Sequence, residues 1–282
     1  MIWMVRRNLQ LYFSKFSNVL LSLLGAIISI VLYLVFLKGN LMSSWAALPN
    51  ATTILDWWLI GGTMVITALT TTLNSLSVFV GDREQQTFKD LALTDVSPSK
   101  LLLGYLGASL IIGVLMQMVM FVILSIYFGL TDGLKMQWQQ LPQVFGIAIL
   151  SSLVWTAFNL LVTSFIKRTD NFGKVGTILA TAAGFFVGVY VPFGILSKTA
   201  NHIIQLTPAP YNSALYRQIL LQQPLAAANL PSKTLLSLKK DLGVDIVWHV
   251  NATTAWQNGM ILGIFTLIFT FSVMIFARKH LK

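Results

Sequence analysis

Six stretches of this sequence carry no charged side chain, and each is long enough to cross a lipid bilayer as a helix. They cover residues 16–37, 57–81, 101–131, 136–166, 175–197 and 246–277. A hydrocarbon core about 30 Å thick needs roughly 20 apolar helical residues. Lipid offers no hydrogen-bond partner to backbone groups, so each segment must satisfy its own, which a helix does. The composition agrees, with 56% hydrophobic residues, 10% charged residues and a mean hydropathy of +0.75. The predicted fold class is therefore an all-α integral membrane protein with six transmembrane helices, at 17–37, 57–81, 101–130, 141–166, 175–192 and 259–277. Residues 1–282 read as a single transmembrane domain. The first span follows Arg6, Arg7 and Lys15 without a small-residue cleavage site, the pattern of a retained helix rather than a signal peptide.

The net charge of +10 could point to nucleic acid, but the positions of the cations give another reason for it. With the N-terminus inside, the inner segments hold Arg6, Arg7, Lys15, Arg83, Lys89, Lys100, Lys167, Arg168, Lys174, Arg278, Lys279 and Lys282. The two short outer loops hold only Lys38 and Lys135. This positive-inside bias predicts both termini in the cytoplasm. Lys198, Arg217, Lys233, Lys239 and Lys240 follow span five, where the rule is weak. Basic charge here means topology and anionic lipid headgroups, not nucleic acid.

Much chemistry is excluded. The chain has no cysteine, so thiol catalysis, disulfides and cysteine-bound metals are out. His202, His249 and His280 lack metal-ligand spacing. There is no Gly-x-x-x-x-Gly-Lys-Ser/Thr phosphate loop and no His-Glu-x-x-His. No catalytic or metal-binding residue is assigned. The spans as drawn contain no Asp, Glu, Lys or Arg, which argues against an ion-coupled carrier, a voltage sensor or an intramembrane enzyme.

Between the spans, three segments carry information. Residues 1–16 set Ile2, Val5, Leu9, Tyr12, Phe13 and Phe16 along one face, as expected of an interfacial amphipathic helix or an extension of span one. Residues 82–100 form a charged island, with Asp82, Arg83, Glu84, Lys89, Asp90, Asp95 and Lys100. Its 82–97 part reads as a helix with Phe88, Leu91, Ala92 and Val96 as an apolar ridge, fit to seat in a partner or to lie as a solvated loop. Ser97 before Pro98 would cap span three. After Gly188 and Pro192, residues 193–206 are too short to cross and too apolar for a free loop. They read as a re-entrant segment, or as a proline-kinked helix end. Residues 207–258 are expected as an extracellular loop.

Within the spans, Thr63, Thr67, Thr70, Asn74 and Ser77 recur at helical spacing, forming a polar face that either bonds a neighbouring helix or lines a wetted path. Span five carries Gly176, Ala180, Gly184 and Gly188 at four-residue spacing, suited to close packing or to a seam between subunits. Gln117 and Asn159 are expected to make interhelical hydrogen bonds.

In these residues the chain resembles the membrane permease subunits of type-2 ABC exporters. Their segment between spans two and three is matched by Glu84, Thr87, Leu91, Thr94, Val96, Ser97 and Gly104, with Gln86 in place of Gly, Asp95 in place of Pro and Tyr105 in place of Lys. Their signature after span five is matched by Gly188, Pro192, Pro208, Tyr211 and Arg217, with Thr207 in place of Asn. The resemblance implies a cytoplasmic coupling helix in which Glu84, Thr87, Phe88, Leu91, Thr94 and Val96 meet an ATPase. It implies a path along spans two and five, bearing Thr63, Thr67, Thr70, Asn74 and Ser77, and a re-entrant gate at Gly188, Pro192, Pro208 and Tyr211. Two permeases, of the same or different chains, would join two ABC ATPase subunits that bind ATP and Mg, with no cofactor in this chain. The expected setting is a bacterial cytoplasmic membrane. The alternative is a non-transport component of the same fold, acting in antimicrobial-peptide immunity or sensing.

Overall fold

The computed structural model describes residues 2–14, 16–45, 48, 50–92, 98–248 and 251–280, excepting the side chains of residues 44, 89, 91, 92, 98, 99 and 276–280. The helices in chain order are α1 (Ile2–Phe13), α2 (Phe16–Ser22), α3 (Leu24–Leu32), a π-helical turn (Tyr33–Leu37), α4 (Lys38–Ser44), α5 (Ala51–Ser75), α6 (Ser77–Glu84) and α7 (Thr87–Ala92). They continue as α8 (Pro98–Thr131), α9 (Leu141–Ser164), α10 (Thr169–Phe186), α11 (Lys198–Gln205), α12 (Ala209–Leu220), α13 (Gln222–Ala227), α14 (Ser232–Asp241) and α15 (Ala255–His280). One short antiparallel pair, β1 (Val247–Trp248) and β2 (Asn251–Ala252), precedes α15.

Among the described residues, five stretches are long and apolar enough to cross a membrane: Leu24–Ser43, Ala51–Glu84, Lys100–Thr131, Trp138–Ser164 and Ala255–Ile275. They fall on spans one to four and six. The run expected at 175–192 lies on α10, which begins earlier and carries Asp170, Asn171 and Lys174 in its first two turns. That polar start keeps it out of the set, although its 18 residues reach about 27 Å at 1.5 Å per residue.

α5 is the axis of the bundle, and every residue from 54 to 73 is buried. Its Thr, Ile and Val content is poor for a helix in water. Packing on all sides, and the need to satisfy the backbone internally, outweigh that propensity. α3, α8, α9, α10 and α12 surround it. Small residues set the close contacts. A Cβ at Gly62 would stand 2.2 Å from Val189 Cγ2, and one at Gly113 would stand 2.6 Å from Thr72 Cγ2. α15 leans on α9 and α12 and exposes Leu267, Ile268 and Phe271 on its other side.

Three expectations change. The segment 207–258 is largely helical, and its α12 is buried from Ala209 to Arg217, because Tyr216 donates to Gln117 Oε1 (2.7 Å) and Asn212 to Ser151 Oγ (2.8 Å). The apolar face of α1 turns differently: Met4, Asn8 and Tyr12 are buried, while Ile2 and Phe13 are exposed. Gly104 and Gly107 admit Met4 and Val5 against α8. Finally, α10, the helix on the run expected as span five, stops at glycine rather than at Pro192. Gly188 adopts φ +70, its N–H bonds Phe185 O and the next bonds Gly184 O at 2.9 Å. This is the left-handed glycine stop of a Schellman motif. Residues 193–206 then form a tight turn (Phe193–Ile195) and α11, capped by Ser197 Oγ accepting from Ala200 N at 3.2 Å.

Candidate functional site

The bundle has a near end, which holds α6 and α7, and an opposite, far end. A cavity of about 570 Å³ runs between α2–α3, α5 and α10. Gly25 and Ile28 form one wall, Thr70 and Asn74 the second, and Gly176 and Thr177 the third. Among the described residues, no charged side chain lines it. Of the sequence stripe, Thr70 and Asn74 reach this groove, while Thr63 and Thr67 are buried inside the bundle and Ser77 lies past a break in the helix.

The break has a local cause. Thr70, Thr71 and Thr72 bond their hydroxyls to carbonyls four residues back, and Ser75 bonds Thr72 O. Serial back-bonding of this kind bends helices, and α5 gives way to α6 at Leu76. Asn74 Nδ2 donates to Asn18 O (2.8 Å), tying α5 to α2 beside the groove. Gln117 and Asn159 do make interhelical bonds, Gln117 to Ser152 Oγ (2.8 Å) and Asn159 to Leu69 O (2.9 Å) and Thr72 Oγ1 (2.8 Å).

At the near end, Asp82 receives a bidentate pair from Arg7 Nη1 (2.8 Å) and Nη2 (2.9 Å), and a hydrogen bond from the Tyr105 hydroxyl. The Asp82 bond raises the Arg7 guanidinium above its ordinary range, against a smaller cost of burial. α1, α6 and α8 are thereby joined. Glu84 accepts from Thr169 N and Oγ1 at the start of α10. Gln86 adopts φ +63, a conformation that favours glycine. Glycine is the residue that the resembled pattern has there. Thr87 opens α7.

Phe88, expected on an outward ridge, is instead 8% exposed and packs its ring on Phe79 and Tyr105 at centroid distances of 6.0 and 6.5 Å. Three aromatic faces meeting at that point hold it inward. Thr94 and Val96 lie outside the described residues, as does the Leu91 side chain.

At the far end, the residues expected to form a gate find their partners elsewhere in the chain. Pro208 precedes α12, and the Tyr211 hydroxyl donates to Gln205 O (2.8 Å) and accepts from Trp248 Nε1 (2.9 Å). Arg217 is fully buried. Its Nη2 donates to Gly188 O (3.3 Å) and its guanidinium lies 5.0 Å from the Trp58 ring. Gly61 and Gly62 leave the room it occupies. Sequence reasoning counted it as a loop cation, because only the burial of α12 takes it out of water.

Sequence reasoning also missed a cluster of ionisable residues in the bundle. Asp56 is fully buried and accepts from Tyr33 (3.0 Å), with Lys38 Nζ at 3.2 Å. Lys38 also bonds Asp132 (2.7 Å). Burial pushes the Asp132 carboxyl up, but hydrogen bonds from Lys38 and Thr131 outweigh it and hold it below its ordinary range. In the π-helical turn Lys38 N bonds Tyr33 O, an i→i+5 step that puts both side chains on one side. Span boundaries drawn at 37 and 57 left Lys38 and Asp56 just outside. The helices run through both, so the spans do contain ionisable groups.

No curated protein matches the sequence. The sequence model of the ABC-2 family transporter proteins matches residues 38–275, from Lys38 of the far-end cluster to the end of the last span. That is most of the chain, including the groove's α5 and α10 walls. The chain belongs to the ABC-2 family of transporter proteins, as a multi-pass membrane permease subunit.

Proposed function

We propose that this permease moves an amphipathic substrate, such as a drug, lipid or peptide, outward across a bacterial cytoplasmic membrane, driven by a separate ATPase. The observation that carries this reading is the groove between α3, α5 and α10, whose lining, among the described residues, mixes hydroxyl and amide groups with apolar side chains and holds no charge. Such a lining suits cargo that is part polar and part apolar better than inorganic ions, which need fixed charge or a carbonyl cage. A second permease, of the same or another chain, closes the groove along its open side. The near end is cytoplasmic, as the positive-inside bias supports, and both termini lie there.

Two ABC ATPase subunits carry ATP and Mg, and they press on residues 82–97. Of the contacts that the resemblance implies, Glu84, Thr87, Phe88, Leu91, Thr94 and Val96, the reading keeps Thr87, Leu91, Thr94 and Val96, because Glu84 bonds Thr169 and Phe88 packs on Phe79 and Tyr105. Residues 193–206, with Gly188, Pro192, Pro208 and Tyr211, form the outer gate. The test is to purify the tagged chain from its native membranes and reconstitute it with whatever ATPase accompanies it. ATP-dependent movement of a fluorescent short-chain phospholipid or an amphipathic dye is the expected result. Recovery without any ATPase, together with no ATP-dependent movement of either probe, would overturn the reading and favour a non-transport role.

A further inference from the structure

The turn that joins α9 to α10 is held at both ends by consecutive residues of one other element. Arg83 Nη1 donates to Ser164 O (3.2 Å), where α9 stops. Glu84 accepts from Thr169 N (2.9 Å) and Thr169 Oγ1 (2.7 Å), where α10 starts. Phe79 braces Arg83, with its ring 5.3 Å from the guanidinium.

α10 needs what Glu84 provides. Its N-cap residue, Arg168, makes no side-chain cap, and the first N–H groups of a helix have no partner within it. A carboxylate there also faces the positive end of the helix dipole. The neighbouring Asp82 turns the other way, to Arg7 and Tyr105.

We infer that Arg83 and Glu84 are positioning residues that bind the α6–α7 segment and the α9–α10 turn into one moving body, so that displacement of α7 is delivered to α10. This rests on the proposed function, and it gives Glu84 an intramolecular role in place of an ATPase contact. The packing decides which wall of the groove then moves. α5 is buried from residue 54 to 73, whereas among the described residues a Cβ at Gly173 of α10 would meet nothing within 4 Å and one at Gly176 would meet Leu73 Cδ2 at 3.8 Å. A push at the near end shifts α10 across a fixed α5.

The chain has no cysteine, so Thr177→Cys places a single thiol on the α10 wall of the groove. The maleimide labelling rate of this parent, purified with its ATPase, is compared with and without ATP plus vanadate. The parent is expected to change rate with nucleotide. Adding Glu84→Gln or Arg83→Gln is expected to shrink that change by about threefold to fivefold, the scale of one net hydrogen bond lost. ATPase recovery should stay at the parent level. Thr169→Ser, which keeps both donors, should behave as the parent does.

A full nucleotide response in the Glu84→Gln protein overturns the inference. So does loss of the ATPase from that protein, which would make Glu84 a partner contact. If the parent itself gives no response while its ATPase is present, the proposed function fails, and the inference with it.

Discussion

Lys38 and Asp56, on consecutive spans, meet at 3.2 Å with the carboxylate sealed from solvent. Among the described residues, Lys38 has a second partner in Asp132, whereas Asp56 has only Lys38 and Tyr33, and its Oδ2 has no hydrogen bond. Removing the two residues should therefore have unequal effects. Lys38→Met strands a buried carboxylate and is expected to cost about 3–5 kcal/mol, and Asp56→Asn about 3 kcal/mol or less, because Lys38 keeps Asp132. The double variant should recover much of the loss. Thermal unfolding in detergent checks the order of the three.

Gln86 holds a left-handed backbone conformation without being glycine. For a residue with a Cβ this costs about 1–2 kcal/mol. Gln86→Gly removes that strain, at some cost in chain entropy, and is expected to raise the midpoint of thermal unfolding. A lowered midpoint would mean that the Gln86 side chain makes a contact worth more than the strain.

Phe88 lies under the near end, against Phe79 and Tyr105. Phe88→Ala should cost about 3 kcal/mol. Phe88→Asp should disrupt the Arg7–Asp82–Tyr105 region as well as ATPase capture. If Phe88→Asp released the ATPase with an unchanged unfolding midpoint, the ring would be acting as a partner contact after all.

Thr70 and Asn74 are the two stripe residues that reach the groove. Thr70→Leu with Asn74→Leu should lower ATP-driven transport severalfold while ATPase recovery is unchanged. Thr67→Leu, buried away from the groove, should instead reduce folded yield. Transport by reconstituted vesicles, normalised to folded protein, separates the two outcomes.

The sequence was sufficient for five of the six expected spans, because lipid makes one demand on every backbone group. An uncharged run of adequate length answers it in only one way. It was not sufficient for the fifth, where α10 starts with polar residues. The stripe was legible only in part: helical spacing put five residues on one face, but the back-bonded threonines end α5 before Ser77, and neighbouring helices cover Thr63 and Thr67. The resemblance implies an ATPase contact for Glu84 and Phe88. Their partners within the chain, Thr169 and Phe79, lie on other elements and leave no local periodicity to read.

By itself the sequence determined a helical membrane protein of this family and the position of its charged segment along the chain. These follow from composition, run length and motif, which are local properties. The tertiary structure decided which polar residues face a groove and which are sealed. It brought Lys38 and Asp56 into the bundle and took Arg217 out of water, and it turned Glu84 toward Thr169. The reason is physical: burial and pairing depend on which helices become neighbours, and in lipid that choice rests on close packing and buried hydrogen bonds rather than on hydrophobicity.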